Sequence, residues 1–239
     1  MRKLIALVMM AVAILAAGPV RAADLPYYPP VIDVPDVNTG VAGAFYLRGS
    51  AAANLWWAKS FDWLQLGDPC GCIPPGGGSV STTDKGYGYS LGAGFGYETG
   101  TGLRADVTLD YLNTQGVTLP SGSKVSLRGG LALANAYYDF NFSGLSSSAG
   151  GFGAYVGAGL GAAYLHSEVN GSSVFSGDGV HAAGALMAGV TYDMGAMVAD
   201  VGYRGVYLPS IGNTNSYETY TIKDNWIHEV RGTLRYRFN

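Results

Sequence analysis

Residues 103–111 read Leu-Arg-Ala-Asp-Val-Thr-Leu-Asp-Tyr and alternate without a fault. Leu103, Ala105, Val107, Leu109 and Tyr111 fall on one parity; Arg104, Asp106, Thr108 and Asp110 fall on the other. Only a strand sends successive side chains to opposite faces, so the stretch is a strand with one apolar and one charged face. A soluble sheet buries the apolar face and wets the charged one. A transmembrane barrel does the reverse, with lipid outside and a polar interior. The stretch alone fits both. Its recurrence decides, in a chain that opens with an export signal and carries few charges.

Arg2 and Lys3 form a basic start, residues 4–17 an apolar run, and Val20-Arg21-Ala22 or Arg21-Ala22-Ala23 a small-residue cleavage region. The run of about 14 residues falls short of the roughly 20 that a spanning helix needs, which argues against a membrane anchor. Residues 1–23 are therefore expected to be a signal peptide. Their loss removes three of 14 basic residues (Arg2, Lys3, Arg21) and none of 17 acidic ones, leaving 11 − 17 = −6. Nucleic acid is excluded as a partner, because it selects a basic surface. Residues 24–43 hold Pro26, Pro29, Pro30 and Pro35 without periodicity and read as an extended periplasmic leader. Residues 44–239 then form one barrel domain.

Eight strands follow: residues 44–57, 86–97, 103–111, 125–140, 152–165, 180–192, 196–208 and 226–238. In the second, Tyr87, Tyr89, Leu91, Ala93, Phe95 and Tyr97 alternate with Gly88, Ser90, Gly92, Gly94 and Gly96. A glycine face lets bulky neighbours approach, which leaves room for long charged side chains from other strands. In the fourth, Leu127, Leu131 and Leu133 have one parity and Tyr138 and Phe140 the other, so a bulge is expected between them. Charged residues are only 13% of the chain, about half the usual share. Turns after the second and sixth strands are short. Polar loops at residues 58–85, 113–124, 166–179 and 209–224 are long. Short periplasmic turns and long external loops mark an all-β, eight-stranded antiparallel transmembrane up-and-down β-barrel in the outer membrane. A soluble calyx has the same count, but its inner face is apolar and its outer face charged; here the charges share the glycine face. A transmembrane helix over residues 140–167, with Gly153, Gly157 and Gly161 as a packing stripe, is the other alternative, and its glycine content is poor for a helix.

The chain resembles the outer membrane immunogenic proteins of alphaproteobacteria, a branch of the OmpA-like and opacity-protein barrel superfamily. The likeness runs over residues 44–239, in Phe45-Tyr46-Leu47-Arg48-Gly49, residues 103–111, Asn135-Ala136-Tyr137-Tyr138-Asp139-Phe140, Tyr155-Val156-Gly157-Ala158-Gly159, Gly202-Tyr203-Arg204 and Leu234-Arg235-Tyr236-Arg237-Phe238. It implies an integral outer-membrane protein with exposed, often antigenic loops. Some members of that family are described as haem-binding, adhesive or porin-like. Such barrels end on an aromatic residue that the insertion machinery recognises. Tyr236 and Phe238 fit that signal here, although Asn239 follows.

The expected interior charges are Arg48, Arg104, Asp106, Asp110, Asp200, Arg204, Glu229, Arg231, Arg235 and Arg237. Eight strands enclose a space that side chains just fill, so these groups should plug the barrel as an ion-pair network. A narrow, porin-like path for ions or small solutes past them is the rival reading. Cys70 and Cys72 lie in the first long loop, and an oxidising compartment favours a disulfide between them; two thiols alone are too few for a metal. Haem binding would draw its axial ligand from His166 or His181, which flank one loop. His166-Ser167-Glu168 contains hydrolase residue types, but neighbours on a strand face opposite ways, so His166 and Ser167 do not pair and no catalytic set is expected. No cofactor is expected. The expected partners are outer-membrane lipid, the barrel insertion machinery, and host or surface ligands met through the loops. Trp56, Trp57 and Tyr87 should sit at the outer rim, and Tyr97, Tyr138, Tyr192 and Phe238 at the periplasmic rim.

Overall fold

The computed structural model describes residues 43–67, 70, 72, 74–81, 85–118, 124–142, 151–169, 176–214 and 218–238. The expected signal peptide and residues 24–42 of the expected leader lie outside these residues. Among them are ten strands: β1 (Ala44–Trp57), β2 (Ser60–Gln65), β3 (Gly76–Ser81), β4 (Gly86–Glu98), β5 (Leu103–Thr118), β6 (Lys124–Asn141), β7 (Gly151–Val169), β8 (Ser176–Asp193), β9 (Met197–Thr214) and β10 (Glu218–Phe238). Eight of them close a barrel. β1 pairs with β4, each strand from β4 to β10 pairs with the next, and β10 returns antiparallel to β1 with Phe45 opposite Phe238. Closure leaves no open edge at membrane depth, as hydrocarbon requires.

Alternation decides which way the wall faces. On β5 the apolar parity points out, with Val107 and Leu109 more than 60% exposed, while Arg104, Asp106, Thr108 and Asp110 are buried inside. β7 and β8 repeat the pattern, with Leu160, Val180 and Leu186 among the most exposed side chains. A closed wall with an apolar outside and a charged inside is a transmembrane, outer-membrane barrel. Aromatic pairs ring its periplasmic end: Phe45 with Tyr97 at 5.0 Å, Tyr138 with Phe140 at 4.8 Å, Phe152 with Tyr192 at 4.9 Å and Tyr236 with Phe238 at 5.3 Å. Their apolar bodies and polar tips suit the headgroup level.

Three local expectations are corrected. The register of β6 against β7 is continuous from Val125 to Asn141, so the bulge expected between Leu133 and Tyr138 is not there. Leu127, Leu131 and Leu133 point inward and Tyr138 and Phe140 outward; both faces of β6 are apolar, and that mimicked a parity change. The shift lies instead on β5, between Thr114 and Val117. Residues 151–169 form β7, which replaces the helix alternative. Trp56 is fully buried inside the barrel, donating its Nε1–H to Asn225 Oδ1 at 3.1 Å, and only Trp57 faces out.

The first long loop contains the β2–β3 hairpin, with β2 pairing the outer end of β10 from Glu218 to Lys223. Phe61 explains the placement: it is buried and its ring stacks on Tyr220 at 5.8 Å. β9 and β10 also run beyond the expected ends, and both exchange faces at Pro209 and Asp224. Below that level Leu208 and Asn225 point in; above it Ile211 and Ile222 do. Pro209 cannot donate to the ladder, and Asp224 takes a positive φ of 52°, so the pairing lapses at that one level.

Candidate functional site: the barrel interior

The lower half of the interior is polar. Asp106 is a hub. It accepts from Arg48 Nη1 at 2.8 Å, Tyr46 Oη at 2.9 Å, Asn135 Nδ2 at 2.8 Å and Tyr137 Oη at 3.3 Å. Arg104 instead forms a two-pronged pair with Asp139, both bonds 3.0 Å, and its guanidinium lies 3.9 Å from the centroid of the Tyr137 ring. A second hub sits above. Asp110 accepts from Arg204 Nη1 at 2.7 Å and Arg231 Nη2 at 2.5 Å, while Glu229 accepts from Arg204 Nε at 2.6 Å and Ser90 Oγ at 2.9 Å. At the periplasmic mouth Arg237 reaches Glu98 at 2.5 Å and Asp193 at 2.6 Å. Arg235 lies 3.4 Å from Glu98 and 3.8 Å from Asp200, which also accepts from Tyr155 Oη at 3.5 Å. Burying these charges is tolerable only because each has such partners.

All ten expected charges therefore lie within the barrel, nine buried and Arg237 half-buried at its mouth. Glu98, Asp139 and Asp193 complete the pairing and were not among them. Each stands next to a periplasmic turn, where turn chemistry masked the strand parity. The glycine row of β4 makes the room. A Cβ on Gly92 would stand 1.9 Å from Asp110 Oδ1, and one on Gly94 3.0 Å from Arg48 Cγ.

The upper half is mostly apolar, with Thr114, Ser167 and Asn225 buried among its side chains. Trp56, Leu112, Leu127, Leu165, Leu208 and Ile227 are buried at 0–1% exposure and pack in one cluster above the second hub. Leu131 and Leu133 join it from the β6 wall. Higher still, Ile211, Ile222, Phe61 and Tyr220 extend that cluster between the outer ends of the strands. Charged below and greasy above, the interior is filled in two layers. The upper layer was missed because the leucines of β6 read as a break in parity and not as an apolar inner face.

The remaining candidates are spread out. His166 Nδ1 lies 2.9 Å from Asp178 Oδ1 on the outer face, whereas Ser167 is buried inside and hydrogen-bonds Tyr220 Oη. The histidine and serine thus face opposite ways. His181 is half-buried and His228 meets the Tyr203 hydroxyl at 2.5 Å. The structure shows no disulfide between Cys70 and Cys72; both are exposed, and Cys72 Sγ lies 4.0 Å from the Cys70 carbonyl oxygen. Adjacent β-carbons separated by a single residue reach a bridge only by bending the chain, and here the thiol turns to that carbonyl instead.

Outside the barrel, Asp62 of β2 takes Lys223 of β10 at 2.7 Å and Ser79 of β3 at 2.5 Å. Bonds from Lys223 and then Ser79 hold the Asp62 carboxyl below the usual carboxylate range, and Asp62 holds the Lys223 ammonium above its ordinary value. The pair ties the hairpin to the barrel wall.

No family model matches the chain. An uncharacterized protein of Brucella suis biovar 1 is 30% identical over 97% of this chain and 97% of its own length. An uncharacterized protein of Brucella melitensis biotype 1 matches with the same figures. The chain belongs to the family of these Brucella proteins. Among solved structures, Neisserial surface protein A is 22% identical, with a TM-score of 0.49 over 82% of this chain and 99% of its own. The outer membrane protein OprG from Pseudomonas aeruginosa is 19% identical, with a TM-score of 0.48 over 85% and 100%.

Proposed function

We propose that this member of the Brucella family is a plugged surface barrel, a rigid wall that presents its external strands and loops rather than conducting solutes. The observation that carries this is the two-layer interior. An ion entering from the periplasm would meet paired arginines and carboxylates, then a mostly apolar layer from Trp56 to Ile227 in which few polar groups, such as Thr114 and Asn225, could replace its hydration. The mechanism is presentation. β9, β10 and the β2–β3 hairpin carry sheet structure outward, so the loops between them are held by hydrogen-bonded strands. Surface or host ligands would meet that outer end, in keeping with the resemblance to immunogenic outer-membrane proteins.

The rival, a porin-like channel for ions or small solutes, needs the apolar layer to open. Single-channel recording in planar bilayers separates the two. The plugged reading expects no channel events from pure folded protein; steady unitary conductance would overturn it. A haem-binding role would show as a Soret shift lost on changing His166 or His181, and the plugged reading expects no shift. We further propose that residues 1–23 are removed on export, that residues 24–43 lead into the barrel from the periplasm, and that Tyr236 and Phe238 are read by the insertion machinery. N-terminal sequencing of the mature protein checks the first; a mature chain that retains Met1 contradicts it.

A further inference from the structure

On its lipid face β6 carries Gly130, Ala132, Ala134 and Ala136 in succession. The flanking strands carry larger residues on both sides at two of these levels; at Ala132 only Leu109 of β5 stands higher, opposite Ala162, and at Ala136 the row opens between Ala105 and Ala158. Tyr111 and Tyr164 pair either side of Gly130, and Val107 and Leu160 either side of Ala134. The result is a trough; a depression at Ala134 and Ala136 is walled by Phe95, Val107 and Leu160, and at Gly130 the trough meets a second one lying over Leu91, Leu109 and Tyr111. A Cβ on Gly130 would meet nothing within 4 Å. From Gly130 to Ala134 the walled part of the trough runs roughly 13 Å along the strand.

Its upper end is cationic. Arg128 stands one outward position above Gly130 and is exposed. Lys124 lies further up the same face, also exposed. The register puts Arg128 between Asn113 and His166. Among the described residues no carboxylate pairs with Arg128. Asp178 is engaged by His166 at 2.9 Å, and Glu168 sits one step higher, opposite Ser126. An exposed guanidinium over an empty apolar trough matches a molecule with phosphate at one end and hydrocarbon at the other.

We propose that the β6 trough, headed by Arg128 and Lys124, binds an acylated, phosphate-bearing glycolipid of the outer leaflet. The phosphate meets the two cations, and one acyl chain lies along residues 130–134 between the β5 and β7 rows and leaves over Ala136. This site is independent of whether the external loops bind a ligand.

The test uses the folded full-length mature protein in a neutral detergent, with bisphosphorylated lipid A as probe and native mass spectrometry as readout. One saturable copy per barrel is expected. Arg128→Gln and Gly130→Phe should each weaken binding about tenfold, and Lys223→Gln, an exposed cation on β10, should leave it unchanged. Both variants sit on the outer surface, and a retained heat shift on gels confirms that they fold. Equal binding by Arg128→Gln, equal binding of the dephosphorylated lipid, or non-saturating adducts would overturn the site. Phosphatidylglycerol binding as tightly as lipid A would overturn the glycolipid assignment.

Discussion

At the scale of residues, the interior depends on matched charges in places where water cannot compensate. Asp110 is the clearest case, because Arg204 and Arg231 both rest on it and all three are buried. Asp110→Asn leaves two guanidinium groups short of an anion. Breaking a buried pair in this way costs about 3–5 kcal/mol. The expected outcome is a lower urea midpoint, read by loss of the folded gel band; an unchanged midpoint would contradict the hub. Gly92→Ala should act in the same direction, since its methyl would occupy the space of the Asp110 carboxylate. In the apolar layer, Trp56→Ala removes the largest buried ring and its bond to Asn225, and should cost about 3–5 kcal/mol in the same assay.

At the scale of elements, the hairpin makes a separate claim. Asp62 titrates below its ordinary range in the folded protein, so its pair with Lys223 adds stability at neutral pH and loses it as pH falls through that lowered value. Lys223 titrates above its ordinary value, so its share is kept below the usual lysine range and lost only as pH rises through the raised one. The hairpin should therefore be firmest between roughly pH 5 and 10. Hydrogen exchange of β2 should quicken below that window while the barrel strands stay protected; equal protection at pH 3 and pH 7 would contradict the tie. The hairpin was also the element that the sequence hid best. Ser60–Gln65 is a six-residue run inside a polar stretch, and its strand character comes from Phe61 meeting Tyr220, about 160 residues away in the chain. The barrel strands were legible because one face meets lipid and the other meets charge. β6 misled because its inner face turns apolar halfway up, so that its parity looked broken. Trp56 misled for a related reason, since a Trp pair at a strand end suggests a girdle, whereas one of the two must point inward.

At the scale of the whole molecule, the closed order of eight strands and the outward apolar face define a protein whose solvent is lipid. The same arrangement in water would expose one continuous apolar surface from Phe45 around to Phe238. On the proposed reading, the two-layer filling makes the barrel a support rather than a conduit, with its outer end, where β9, β10 and the hairpin extend, as the presenting surface. Replacing Phe238, which caps β10 on the periplasmic rim beside Tyr236, with Ala should lower the amount assembled in the outer membrane several-fold without changing the heat shift of the fraction that assembles. Equal yields on quantitative blotting would contradict its role as an insertion signal.

The central claim is that charges face in and apolar side chains face lipid. Fractionation followed by gels of boiled and unboiled samples tests it most directly. The structure predicts a band in the outer-membrane fraction whose mobility changes on heating, as a closed transmembrane barrel unfolds only when boiled. A soluble periplasmic protein whose mobility is the same before and after boiling would mean that the two faces are assigned the wrong way round.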